Sequence, residues 1–322
     1  MSARNDRSAY GIAHRHREKN MQIGFIGLGN MGGAMAEVLT RSGRTVVAFD
    51  LASEAIKRAV SAGCIPARSV AEAVKGADAV ITMLPAGAQA RAVYSREVFP
   101  NVPAGTLLVD CSTIDVESAR ALAGEAQAKD LRFADAPVSG GVIAAAAGSL
   151  AFMIGCREED FAEIARLVEP LARAVIRAGD PGAGQAAKIC NNMVLGVSMI
   201  GVCEAFALAE RLGLDGRLFF DIASQSTAQC WSLTSHCPWP GPVPHAPSNR
   251  GYEAGFSAAM MLKDLKLAQE AAAISGSAAP IGAAAEGLYA LFGTLGGGDK
   301  DFSAIIELFR GRAPAAYAAA VQ

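Results

Sequence analysis

Histidine is scarce in this chain, with four in 322 residues. His14 and His16 fall in a charged N-terminal stretch and His236 and His245 in a proline-rich loop, so neither a catalytic histidine nor a histidine-built metal site is expected. Excess charge of either sign is lacking too: a formal net charge of −2 gives no electrostatic basis for binding nucleic acid or a membrane surface. The seven cysteines (Cys64, Cys111, Cys156, Cys190, Cys203, Cys230, Cys237) are odd in number and contain no CxxC pair. They read as small buried apolar residues in a reducing compartment, with no metal site. No apolar run is free enough of glycine and charge for a membrane span, and the longest, after Gln185, contains Glu204 and Glu210. Residues 1–20 carry mixed charge without an apolar core, unlike a secretory signal or an amphipathic transit peptide. The expectation is a cytoplasmic enzyme or small-ligand binder, with a disordered extension over 1–20.

What is present begins at Met21. A short apolar strand to Ile26 runs into Gly27-Leu28-Gly29-Asn30-Met31-Gly32, then a helical segment to about Arg41, then a second strand, Thr45 to Phe49, closed by Asp50. Strand, glycine turn, helix, strand and acid, in that order, form the dinucleotide fingerprint. The glycines allow a tight turn, close approach of backbone to a pyrophosphate and packing of helix on strand, leaving N–H groups at the helix start to face phosphate. Asp50 suits a ribose hydroxyl. The residues that follow it, Leu51, Ala52 and Ser53, supply no cation for a ribose phosphate, which favours NAD over NADP.

The βα alternation continues. Helix is expected over 53–61 and after a Ser69/Glu72 capping box. Buried strands are expected at 79–84 and 106–109, then a helix over 116–129. Ligands bind at the C-terminal ends of such strands, which makes Leu84, Pro85, Ser112 and Thr113 cofactor-edge candidates. A strand near Phe133 stops at Ser139-Gly140-Gly141, where several N–H groups and a hydroxyl can share one concavity, a nest for a carboxylate. Segments at 150–155, 158–172 and 174–178 complete the sheet.

Pro181, Gly182 and Gly184 then break the chain before a long apolar helix over about 185–212. Lys188 and Asn192, four apart, project from one face of it. Beyond Leu212 only helices are expected, over 216–224, 258–273, 281–292 and 302–309, interrupted by a proline-rich loop over 226–255. The expected fold class is an α/β N-terminal Rossmann-like doubly wound domain (21–181) followed by an all-α C-terminal domain (182–322), joined by a long interdomain helix. Helices apolar nearly all round also point to burial by a second subunit, as a homodimer or homotetramer.

In sum the chain resembles the β-hydroxyacid dehydrogenases. The motifs that carry the resemblance are Gly24 to Gly32, Met83-Leu84-Pro85, Asp110 to Ile114, Asp135 to Gly141, Gly182-Ala183-Gly184 with Lys188 and Asn192, and Met261 to Leu265. Cys230-Trp231-Ser232, the proline-rich loop and Arg250 to Phe256 resemble the hydroxyisobutyrate branch in particular. The resemblance implies that Lys188 is catalytic, that Asn192 positions it, and that Ser139, Gly140, Gly141 and Trp231 bind substrate. It further implies that Gln89, Phe256, Lys263 and Asp264 join the cofactor site. Ala34, Gln89 and Ala144 depart from the family pattern, where proline, Asn or His, and glycine are usual. The implied reaction is NAD-dependent oxidation of (S)-3-hydroxyisobutyrate to methylmalonate semialdehyde. A tartronate semialdehyde reductase or another dehydrogenase of 3-hydroxy acids is the alternative, and a non-catalytic NAD-binding scaffold the remote one. Chemistry favours lysine: a base must take the hydroxyl proton, and burial beside the positive nicotinamide ring disfavours the ammonium form.

Overall fold

The computed structural model describes residues 21–312; the extension over 1–20 and the last ten residues lie outside the described residues. The chain forms two compact units that meet between Lys188 and Ile189, seven residues past the expected boundary.

The first unit is built on a sheet of nine strands: β1 (Gln22–Ile26), β2 (Thr45–Phe49), β3 (Ile65–Pro66), β4 (Ala79–Thr82), β5 (Leu107–Asp110), β6 (Arg132–Asp135), β7 (Val138–Ser139), β8 (Leu150–Gly155) and β9 (Ala172–Gly179). Strands β1 to β6 are parallel in the order 3-2-1-4-5-6, the doubly wound arrangement. β8 then turns antiparallel to β6 and β7, and β9 runs parallel to β8. Alternation along the strands feeds two cores. Ile23, Phe25, Ile81 and Val109 pack on one face with Met35 and Leu39 from helix α1 (Asn30–Arg41). Val80 and Leu108 pack on the other with Val74, Tyr94 and Leu122.

Further helices of this unit are α2 (Ser53–Ser61), α3 (Val70–Val74), α4 (Gly87–Val93), α5 (Val116–Gln127), α6 (Gly141–Ala147) and α7 (Glu158–Val168). Ser69 caps α3 by accepting from the Glu72 N–H at 3.1 Å. Two of these, α4 and α6, were not expected. Each is seven residues long, and α6 follows two glycines, so neither carries a readable period.

Helix α8 (Ala183–Arg211), 29 residues long, begins in the first unit and runs on into the second. An 18-residue stretch of it, with a mean hydropathy of 1.7, is long and apolar enough to cross a bilayer, which corrects the expectation that no run qualifies. Its two acids lie in its second half and leave that stretch nearly uncharged. Half of the stretch is buried within the protein.

The second unit also holds α9 (Gly216–Ser224), α10 (Trp231–Thr234), α11 (Ala258–Ser275), α12 (Pro280–Phe292) and α13 (Ile306–Phe309). Met199, Phe206, Met261, Leu265, Tyr289 and Phe302 form its core. The proline-rich loop is more regular than expected. It contains α10 and a turn of tight helix at Pro247–Arg250, and Asn249 and Ser248 fasten it by hydrogen bonds to Gly241, Val243 and Cys237. Five of the cysteines are buried, but Cys190 is exposed and Cys230 half-buried, so the expectation of uniform burial fails at those two.

Candidate active site

Strand β1 delivers the chain to Gly27, whose φ of +95° and tight fit against the Met83 carbonyl leave no room for a side chain. Gly32 packs in the same way against the Gly27 carbonyl, whereas a Cβ at Gly29 would meet nothing within 4 Å. Backbone around Gly29 is therefore open to a ligand. No side chain caps α1, so the N–H groups of its first turn are left to an anion. Asp50, at the end of β2, accepts from Leu28 N–H at 2.6 Å through Oδ2 and from Ala52 N–H at 2.8 Å through Oδ1. Each carboxylate oxygen has a further lone pair for a ribose hydroxyl. Leu51 beside it is 95% exposed and offers no charge. These residues fit a dinucleotide that lacks a ribose phosphate.

At the ends of β4 and β5 a buried polar chain forms. Tyr94 donates to Thr82, Thr82 donates to Asp110 at 2.6 Å, and Ser112 donates to the same carboxylate oxygen at 2.5 Å. The Ser112 hydroxyl also accepts from Leu84 N–H at 2.8 Å. Ser112, expected at the cofactor, is thus fully buried and spends its hydroxyl on shaping the Leu84 turn. Leu84 and Thr113 are half-buried at that edge, and Pro85 and Gln89 are exposed. Burial combined with the nearby Asp110 charge pushes Tyr94 and Cys111 far above their ordinary ranges, so both stay neutral.

Beyond β6 the chain passes through Ala136-Pro137 to Ser139, Gly140 and Gly141. Positive φ at both glycines (138° and 72°) turns the backbone into the start of α6, which no side chain caps. The expected nest therefore lies at a helix start. The Ala144 Cβ packs against Gly140, 2.6 Å from where a Cβ on that residue would lie. The start of α8 is fastened to the same sheet edge. Asp135 accepts from Gly182 N–H at 2.6 Å and from Gln185 N–H at 2.8 Å. The Gln185 side chain donates to the Ser112 carbonyl at 2.8 Å and accepts from Ile114 N–H at 3.1 Å. Lys188 follows one turn later and is 7% exposed. Sequence reading passed over Asp135 and Gln185 as site residues. The available signal was an acid at a strand end and an amide three residues before the lysine.

In the second unit Asn192 is buried and donates to Asp264 Oδ2 at 2.5 Å, while its own oxygen accepts from Asn191 at 2.9 Å. Asp264, expected among the cofactor contacts, is buried and serves here as the anchor of Asn192; Lys263 lies 3.6 Å from its other oxygen. Trp231 is 53% exposed and stacks on His236 at 5.1 Å. His236 stacks in turn on Phe302, which meets Phe256 edge to face. The His236 Nε2 lies 2.8 Å from the buried Asp301 carboxylate. The proline-rich loop thus supplies a histidine as a fixed support under an exposed tryptophan.

The glycine cradle, the ribose acid and the buried lysine at one edge of a doubly wound sheet define a dinucleotide-dependent oxidoreductase. A family model for the NAD-binding domain of 6-phosphogluconate dehydrogenase matches residues 22–179. A second, for the NAD-binding part of NADP-dependent 3-hydroxyisobutyrate dehydrogenase, matches 182–309. A Mycobacterium tuberculosis protein named probable 3-hydroxyisobutyrate dehydrogenase is 46% identical over 91% of this chain and 99% of its own length. The NAD-dependent L-serine dehydrogenase of Pseudomonas aeruginosa is 44% identical over 89% of this chain and 97% of its own. A solved structure of M. tuberculosis 3-hydroxyisobutyrate dehydrogenase with L-serine superimposes with a TM-score of 0.87, covering 90% of this chain and 99% of that one at 46% identity. The chain belongs to the 3-hydroxyisobutyrate dehydrogenase family, within the β-hydroxyacid dehydrogenases, and its cofactor is NAD.

Proposed function

We propose that the chain oxidises (S)-3-hydroxyisobutyrate to methylmalonate semialdehyde in valine degradation, with Lys188 as general acid and base. The observation that supports this reading is the fastening of the α8 start to the ends of β5 and β6, one turn before a lysine that is nearly buried. Bound NAD⁺ supplies the acceptor for the hydride that leaves the alcohol carbon. The neutral Nζ of Lys188 takes the hydroxyl proton as the carbonyl forms, and in reverse its ammonium protonates the carbonyl oxygen. Ser139, Gly140 and Gly141 hold the substrate carboxylate through N–H and O–H donors. Asn192, one turn beyond Lys188 and fixed by Asp264, orients the reacting oxygen. The family pattern assigns Trp231 to the substrate and Phe256 and Lys263 to the cofactor.

L-Serine is the second reading, favoured by the name of the P. aeruginosa relative and by the ligand in the M. tuberculosis structure. The two substrates share the 3-hydroxy acid and differ at carbon 2. Rates on 3-hydroxyisobutyrate, L-serine, D-glycerate and 3-hydroxypropionate rank the options. The proposal expects the highest kcat/KM on 3-hydroxyisobutyrate. A lead for L-serine or D-glycerate overturns it, and NADH binding without turnover on any of the four returns the scaffold reading. A homodimer or homotetramer is also proposed. Its support is apolar exposure at Val194, Leu208, Leu218, Ile222, Ile281 and Leu291 on helices of the second unit, and light scattering tests it.

A further inference from the structure

We propose that Asp135 is a positioning residue for Lys188: its carboxylate sets where the first turns of α8 begin and so where the lysine reaches. This rests on the reading of Lys188 as the acid and base. Asp135 ends β6, and the same strand leads through two residues to β7 and the nest. One side chain therefore references both the donor group for the substrate carboxylate and the helix that carries the base. Its two oxygens take separate N–H groups three residues apart, Gly182 at 2.6 Å and Gln185 at 2.8 Å, which fixes the rotation of the helix start as well as its distance. Gln185 adds a second tie to the neighbouring strand end through Ser112 and Ile114.

The surroundings are shaped to admit this contact. A Cβ at Gly184 would lie 2.8 Å from Asp135 Oδ2, 2.7 Å from its carbonyl and 2.5 Å from the Met153 carbonyl. Gly155 is crowded against the same carboxylate. Helix and strand approach this closely because both positions lack a side chain. The arrangement is costly, since burial pushes the Asp135 carboxyl up to about 6 against the opposing effect of its backbone donors, and the Asp110 charge adds to the rise. A neutral residue would cap a helix without burying a charge. A carboxylate that accepts two N–H groups and donates none holds the helix start in one place only.

The test is a double-mutant cycle in the full chain, with kcat and KM on 3-hydroxyisobutyrate and NADH binding by fluorescence. Asp135→Asn keeps the shape but turns a donor toward one N–H. It is expected to lower kcat by ~10–100-fold, with NADH Kd and substrate KM within about threefold of the parent. In a Lys188→Ala background the same change should cost less than about threefold, because the group it positions is gone. Losses that multiply across the two sites overturn the inference, as does a kcat within about twofold of the parent. If Asp135→Asn no longer binds NADH, Gly184→Ala, which pushes the helix start off an intact carboxylate, takes its place in the same cycle with the same expectations. Full activity in Lys188→Ala alone removes the reading beneath; multiplicative losses with an inactive Lys188→Ala remove only the role of Asp135.

Discussion

The start of α8 and the loop around Trp231 are built by different means. At the helix start every tie is a hydrogen bond with one geometry, from Asp135 and Gln185 to four backbone groups, and the side chains concerned are fully buried. Around Trp231 the support is a stack of rings, Trp231 on His236 on Phe302, ending in an indole that is half in solvent. Hydrogen-bonded anchors lose function when one atom changes, because a buried donor or acceptor is left unpaired. Ring stacks tolerate substitution, since contact area matters more than any single atom. Under the proposed function, the step common to all 3-hydroxy acids would belong with the first kind of support and the choice among them with the second.

Four measurements test that division, from the largest effect to the smallest. Lys188→Ala should lower kcat by ~10²–10⁴-fold while NADH still binds, and turnover in the parent should rise into alkaline pH as the lysine loses its proton. A variant that keeps most of its activity, or a flat profile above neutrality, contradicts the assignment. Asp264→Ala strips Asn192 of its acceptor and should cost ~1–3 kcal/mol of stability with a fall in kcat; Asp264→Asn, which retains an acceptor, should recover most of the stability. The third measurement is unfolding as a function of pH without ligand. The folded Asp135 carboxyl, at about 6 against 3.8, holds its proton more tightly than in the unfolded chain. Stability should therefore fall as pH rises from about 4 to about 6, by up to ~3 kcal/mol, and Asp135→Asn should flatten that slope. Last, His236→Ala should leave turnover on the best substrate within about fivefold yet change the ratio of 3-hydroxyisobutyrate to L-serine by about tenfold, through a loosened Trp231. An unchanged ratio would show that the stack has no part in selectivity.

Much of the first unit was legible because its signals are local. Strand β1, Gly27 to Gly32, α1 and Asp50 lie within thirty residues of one another, and the capping serine before α3 announces itself three residues ahead of its partner. The candidate lysine was legible for a similar reason, as a charged residue on an apolar helix start with Asn192 four residues on. What escaped depends on pairings across long separations. Nothing near Ser112 in sequence reveals that Leu84 N–H, 28 residues earlier, takes its hydroxyl. The support role of His236 was hidden because its partner Asp301 is 65 residues away. That Asp264 also takes the amide of Asn192, 72 residues before it, through one of its oxygens was equally out of reach. The antiparallel turn of β8 escaped as well, because an apolar strand reads the same in either direction.

The continuity of α8 has a consequence for how this chain tolerates change in length. A helix advances about 100° per residue, so deleting or inserting one residue between Gln185 and Lys188 swings the amine nearly a third of the way round the axis. A substitution in that stretch leaves the phase intact. The same insertion in the turn after Arg211 alters only the connection to α9. A change of length in the segment before the lysine should therefore disturb it more than a change of composition does.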